Sequence, residues 1–145
     1  MDDRKRKLKG SESRDTFKQL HKELNRRFYA SDLDLVLVEK NPPGQVACID
    51  FKLPYDHVSF AEVLTYNDQL KIAPVFIIES PDPLAGPFRV LQYLGGDWHP
   101  EPPSVKLELV CVCEDWAEFG VWENALRLAY AWCYLALPGR GWEKD

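Results

Sequence analysis

Two short apolar runs joined by a Pro-Pro-Gly turn constrain the fold of this chain more than any other feature of its sequence. The runs extend from Leu33 to Glu39 and from Val46 to Lys52, and "NPPG" (residues 41 to 44) separates them. Apolar runs of this length bounded by turn residues predict β-strands. A turn of four residues predicts that the two strands pair as an antiparallel hairpin.

The rest of the chain alternates between helical and strand patterns. Apolar residues at helical spacing predict a helix before the hairpin and another after it. The apolar stripe of the second helix consists of Phe60, Val63, Leu64 and Leu70. A continuous apolar run then predicts a strand buried on both faces, and two further strands and an aromatic, Ala-rich helix follow. These elements predict an α/β or α+β domain with a mixed sheet flanked by helices. In chain order after the first helix (14–28) and the hairpin, the predicted ranges are 59–71 (helix), 73–79, 88–94 and 105–113 (strands) and 116–134 (helix).

Composition limits the class of protein. The chain has 145 residues, of which 46% are hydrophobic and 28% are charged, as expected for a globular domain. No apolar run approaches the roughly 20 residues needed to span a bilayer, and no apolar block of signal type follows the basic start. We therefore expect no membrane partner and a cytoplasmic location. Four cysteines without Cys-x-x-Cys spacing are interpreted as small buried hydrophobes, with zinc or disulfides as alternatives: Cys48, Cys111, Cys113 and Cys133.

The charge is distributed unevenly. Residues 1 to 27 hold ten Lys or Arg and five Asp or Glu, a net charge of +5, whereas the remainder holds eight and eighteen, a net charge of -10. We interpret residues 1 to 13 as a flexible basic arm, followed by a single domain over residues 14 to 145. Such an arm suits contact with a nucleic-acid backbone, although a simple solvated tail is the alternative. The residues expected to contact phosphates are Arg4, Lys5, Arg6, Lys7 and Lys9.

Charged residues lie at the ends of the two hairpin strands. Side chains alternate along a strand, so Asp50 and Lys52 share one face while Ile49 and Phe51 take the other. In a hairpin the start of the first strand lies beside the end of the second. We therefore expect Asp34 to lie close to Asp50 and Lys52.

Two carboxylates and an ammonium in one pocket are costly to bury without a function. A divalent cation provides one, because Mg²⁺ prefers oxygen ligands and is commonly held by one or two carboxylates together with water and phosphate oxygens. A bound metal polarises a scissile phosphate and activates water, while a nearby lysine orients that water and offsets phosphoryl charge. The pattern therefore favours metal-assisted hydrolysis of phosphodiester bonds.

The assembly from residue 14 to about residue 80 resembles the PD-(D/E)xK nuclease superfamily. Asp34 resembles the first acid of the superfamily motif, and "IDFK" (Ile49 to Lys52) resembles its second acid and lysine. The chain departs from the named pattern because Leu33, and not proline, precedes the first acid.

The resemblance implies a restriction-endonuclease-like αββαβ core to which the C-terminal strands and helix are added. It implies a deoxyribonuclease, favouring endonuclease over exonuclease, that uses Mg²⁺ and accepts Mn²⁺. Asp34 and Asp50 would bind metal, and Lys52 would serve the attacking water. Glu23 stands where many members place a further acid that helps to bind metal.

Several alternatives remain at the level of sequence. Asp50 and Lys52 could be a solvated pair, and the domain could be a catalytically inert nuclease fold that binds nucleic acid or a protein. Asp32 suits a turn better than a metal site, and a bond to backbone best explains Asn67 in the apolar stripe of the second helix. The Trp-rich last helix suits the core and a homodimer interface.

Overall fold

The computed structural model describes residues 10 to 22 and 33 to 136. The chain divides into two compact units, Met1–Ser31 and Asp32–Asp145. The described part of the first unit is helix α1, Gly10–Lys22. It begins four residues before the predicted start, so the last residues of the predicted arm are helical.

All the predicted strands and helices between residues 33 and 136 are present, with boundaries shifted by a few residues. The hairpin strands are one to three residues longer at the turn, and the strand predicted to end at Leu94 continues to Asp97. The elements of this unit are β1 (Leu35–Lys40), β2 (Pro43–Lys52), α2 (Phe60–Gln69), β3 (Val75–Glu79), β4 (Phe88–Asp97), β5 (Ser104–Cys113) and α3 (Trp116–Ala136).

The five strands form one mixed sheet in the order β1-β2-β3-β4-β5. β2 and β3 are parallel and the other neighbours are antiparallel. The parallel pair requires a crossover, and the segment containing α2 provides it. The predicted hairpin and the predicted mixed sheet are therefore confirmed.

Alternation along the strands builds a hydrophobic core on each face of the sheet. α2 covers one face and α3 covers the other. β3 lies at the centre and contributes buried side chains to both cores, as its continuous apolar run predicted. The core beside α2 contains Cys48, Tyr66, Val75, Ile77, Leu91 and Tyr93, and the core beside α3 contains Ile49, Phe76, Ile78, Phe88, Val90 and Phe119.

The hairpin turn is fixed by contact with α3. Gly44 has a φ of +152°, and a Cβ at this position would collide with the hydroxyl of Tyr130. That hydroxyl donates a hydrogen bond to the carbonyl of Pro42 at 3.2 Å. A residue without a side chain is therefore required where the turn meets the helix.

The buried face of α2 includes Val63, as predicted, but differs from the predicted face at two positions. Leu64, predicted to lie in the apolar stripe, is 39% exposed, whereas Tyr66 is fully buried. Tyr66 faces the sheet and donates a hydrogen bond to a polar side chain of β2. Asn67 donates from Nδ2 to the carbonyl of Gly96 at 3.0 Å, which confirms its predicted bond to backbone.

The cysteines are all free, but the prediction that all four are buried is wrong. Cys48 and Cys113 are buried, Cys111 is half-buried and Cys133 is exposed. Cys111 and Cys113 lie on one face of β5 with their sulfurs 3.9 Å apart, because side chains two residues apart in a strand point the same way. Among the described helices, none has the length and apolarity that crossing a membrane requires.

Candidate active site

The hairpin register brings Asp34 and Asp50 together. Leu35 pairs with Ile49, so Asp34 lies opposite Asp50 at the open end of the hairpin. The backbone N–H of Asp34 donates to Asp50 Oδ1 at 3.3 Å, and the N–H of Phe51 donates to Asp34 Oδ2 at 2.7 Å. The predicted proximity of the two acids is confirmed, and each carboxylate is held by the backbone of the other strand.

Asp50 is buried beneath α2. Its side chain is on the sheet face that α2 covers, and the residue is 4% exposed. The hydroxyl of Tyr66 donates a short hydrogen bond to Asp50 Oδ2. Asp50 thus accepts one hydrogen bond at each carboxylate oxygen, which fixes the orientation of its carboxyl group.

The protonation of Asp50 reflects this environment. Burial raises the pKa of the Asp50 carboxyl to about 6, the hydrogen bond from Tyr66 opposes the rise, and the neighbouring Asp34 adds to it. Burial and the Asp50 carboxylate also raise the pKa of the Tyr66 hydroxyl, which stays protonated and able to donate. When the Asp50 carboxyl is ionised, its negative charge therefore lies where water solvates it poorly.

Lys52 lies on the same sheet face and contacts α2 one turn before Tyr66. Its Nζ donates to Glu62 Oε2 at 2.6 Å, and the two side chains are only 14% and 19% exposed. The other oxygen of Glu62 accepts the N–H of Ser59 at 2.9 Å, and Ser59 Oγ accepts the N–H of Glu62 at 3.2 Å. This reciprocal capping box fixes Glu62 on the first turn of α2, so Glu62 holds Lys52 in place.

The donor set fits a hard divalent cation. Asp34 Oδ2 and Asp50 Oδ1 each accept one backbone N–H, and a carboxylate oxygen retains a second lone pair for a metal. No group of three His, Cys, Asp or Glu side chains suited to a metal is found within residues 10 to 22 and 33 to 136. A cation here would be held by the two aspartates and completed by water and phosphate oxygens, as Mg²⁺ commonly is.

Several predicted residues fall outside this geometry. Glu23, predicted as the further acid, lies outside the described residues, as do Asp32 and the basic residues 4 to 9. Asp56 and His57 follow Lys52 in the sequence and lie in the loop after β2, where Asp56 Oδ2 accepts the N–H of Leu53 at 3.0 Å and His57 is exposed.

The sequence interpretation missed Glu62 and Tyr66. Ser59-x-x-Glu62 directly before an apolar run is the recognised signature of a capping box, so the position of Glu62 could have been predicted. Tyr66 follows it by one helical turn, which places both side chains over the end of β2. Nothing in the sequence distinguishes a tyrosine that bonds Asp50 from one that only fills the core.

Comparisons with known proteins add no relative. The chain matches no protein-family model, no curated protein sequence and no solved structure.

Proposed function

We propose that this protein is a metal-dependent nuclease that hydrolyses phosphodiester bonds in DNA. The observation that carries the proposal is the buried carboxylate of Asp50 beside Asp34, with Lys52 two residues further along the same sheet face. The restriction-endonuclease-like core is part of this proposal. The observed α-β-β-α-β order and the mixed sheet support it.

A structural role explains Asp50 poorly. An asparagine could accept the hydrogen bond of Tyr66 without carrying a charge into the core, whereas an ionised aspartate needs a compensating cation. Lys52 does not supply one to Asp50, because its ammonium is paired with Glu62. A divalent cation between Asp34 and Asp50 would supply it.

The residues of the chain have separate tasks in this proposal. Asp34 and Asp50 hold Mg²⁺ or Mn²⁺, which when bound supplies Lewis-acid chemistry at the scissile phosphate. Lys52 orients the attacking water and stabilises charge on the phosphoryl oxygens. Glu62 positions Lys52, and Tyr66 orients Asp50.

Binding of DNA and self-association belong to the same proposal. The basic residues 4 to 9 would contact the phosphate backbone, and they would offset the repulsion between DNA and the acidic remainder of the chain. α3 presents a stripe of exposed apolar side chains at helical spacing, Val121, Leu128 and Trp132, and the last is 78% exposed. This stripe supports a homodimer formed through α3.

A cleavage assay tests the function. Supercoiled and linear DNA are incubated with Mg²⁺, Mn²⁺ or a chelator, using the wild type, Asp50→Asn and Lys52→Met. We expect cleavage with either metal, no cleavage with chelator, and a rate loss of at least about 100-fold in both variants.

Matched controls come from the far end of α2. Asp68 and Lys71 form an exposed ion pair, with both side chains 77% exposed. Asp68→Asn and Lys71→Met should therefore cleave at the wild-type rate. Binding of DNA without cleavage in either metal would contradict the proposal and favour an inert domain, and full activity of Asp50→Asn would refute the assigned site.

A further inference from the structure

A cavity adjoins Asp34 on the α3 side of the sheet. Its volume is about 270 Å³. Most of its wall is apolar or aromatic, and the rim reaches solvent because Leu35 is 53% and Trp116 is 54% exposed. The wall includes Leu35, Phe51, Phe88, Trp116 and Phe119.

Two residues of the cavity wall also take part in the hydrogen bonds at the proposed metal site. Asp34 lines the cavity and also contacts Asp50 and Phe51 through the hydrogen bonds of the hairpin. Phe51, whose backbone N–H holds Asp34, lines the cavity as well. A phosphodiester held at Asp34 would therefore place one of its adjacent nucleosides next to this cavity.

The aromatic side chains of the wall pack against one another. The rings of Phe88 and Trp116 lie 4.9 Å apart, and Trp116 and Phe119 meet edge to face at 5.4 Å. The indole N–H of Trp116 donates to the carbonyl of Pro83 at 3.1 Å, which fixes the ring at the rim. Fixed aromatic surfaces favour a flat ligand that can stack.

Two carboxylates give the cavity its polarity. Asp34 lies on one side and Glu123 of α3 on another. Within the described part of the chain no group donates a hydrogen bond to the Glu123 carboxylate, and burial raises its pKa. A ligand that fits the cavity is thus flat, largely apolar and equipped with N–H donors at its edge.

We propose that this cavity receives one unpaired base of the DNA strand being cut, and that Glu123 accepts a hydrogen bond from the exocyclic amino group of that base. The inference rests on the proposed function and extends it, because the substrate would then be single-stranded or locally unpaired DNA. Cytosine presents such an amino group. Thymine does not, and its single N–H lies between two carbonyl oxygens that repel a carboxylate.

The test measures binding and not cleavage. Fluorescence anisotropy of labelled oligo(dC) and oligo(dT) of equal length is recorded with the full chain in chelator, so that no strand is cut. The two oligonucleotides carry equal charge, so the phosphate contribution cancels in the comparison. We expect oligo(dC) to bind about tenfold more tightly than oligo(dT), and either strand to bind more tightly than a duplex.

Two variants examine the cavity itself. Leu35→Trp fills it from the exposed rim and should weaken oligo(dC) binding about tenfold. Ile72→Trp is the matched control, since Ile72 is 60% exposed and lies near the opposite end of β3. Glu123→Gln can donate as well as accept a hydrogen bond, so it should remove the preference for cytosine. It keeps the proposal testable if Leu35→Trp does not fold.

The possible outcomes separate this inference from the proposed function. Equal binding of oligo(dC) and oligo(dT) by the wild type, or unchanged binding by both Leu35→Trp and Glu123→Gln, would overturn the base pocket even if DNA is cleaved. A cytosine preference that depends on Leu35 and Glu123 would support the pocket, even if no cleavage is found and the proposed function fails.

Discussion

The ionised carboxylate of Asp50 should destabilise the folded protein, because it is buried and lies next to Asp34. Its pKa is raised from 3.8 to about 6, first by burial. Because the folded-state pKa lies above the unfolded-state value, the unfolded chain loses its proton first as the pH rises. The free energy of unfolding therefore falls between about pH 4 and pH 6, by up to about 3 kcal/mol, and stays lower above that range.

Replacing Asp50 with asparagine should consequently stabilise the protein. At about pH 8 we expect Asp50→Asn to raise the free energy of unfolding by roughly 1–3 kcal/mol, and below about pH 4 the gain should vanish. Urea unfolding at the two pH values measures this. The exposed Asp68→Asn is the control, and an equal loss of stability at both pH values in Asp50→Asn would show that Asp50 is structural.

Tyr66 affects the pKa of Asp50, the residue to which it donates a hydrogen bond. Its hydrogen bond lowers the pKa of Asp50, so Tyr66→Phe should raise that pKa further. In the proposed site Mn²⁺ would compete with protons for Asp50, so the pH at which Mn²⁺ begins to raise the melting temperature should also move up in Tyr66→Phe. An unchanged midpoint in Tyr66→Phe would show that the hydroxyl does not control the metal site.

At the level of elements, the hairpin could be predicted because its signals are local. The Pro-Pro-Gly turn fixes which residues of β1 and β2 lie opposite each other, and the strand period then places Asp50 and Lys52 on one face. The face of α2 could not be predicted so well, because Leu64 and Tyr66 suit a core equally by composition. A hydrogen bond to the sheet, which no periodicity reports, decides between them.

Two variants in the first turn of α2 distinguish the stability of the protein from the positioning of Lys52. Glu62→Gln keeps an oxygen for the N–H of Ser59 but loses the charge that holds Lys52. We expect its cleavage rate to fall about tenfold while stability changes by less than about 1 kcal/mol.

Ser59→Ala provides the matched comparison. It removes the hydroxyl that caps the helix and leaves the contact between Glu62 and Lys52 in place. It should cost about 1 kcal/mol of stability and keep the cleavage rate. Urea unfolding and single-turnover cleavage measure both variants, and a Glu62→Gln protein with the wild-type rate would remove Glu62 from the mechanism.

Across the whole molecule, the sequence shows how unevenly charge is distributed along the chain, but not where the charged residues lie in space. The basic start and the acidic remainder are evident from composition, and the contact of the basic residues with phosphates stays a prediction. The sequence also does not show which segments that are distant along the chain pack together. The cavity beside Asp34 forms where β1 and β2 meet the first turns of α3, some 80 residues later in the chain. Local patterns carry no signal for such a meeting.

The most direct test of the proposed metal site is diffraction at the manganese absorption edge from crystals soaked in Mn²⁺. The account predicts an anomalous peak at about 2.0–2.3 Å from one carboxylate oxygen of Asp34 and one of Asp50, absent from unsoaked crystals. A fully occupied Mn²⁺ site elsewhere with no peak between the two aspartates would contradict it.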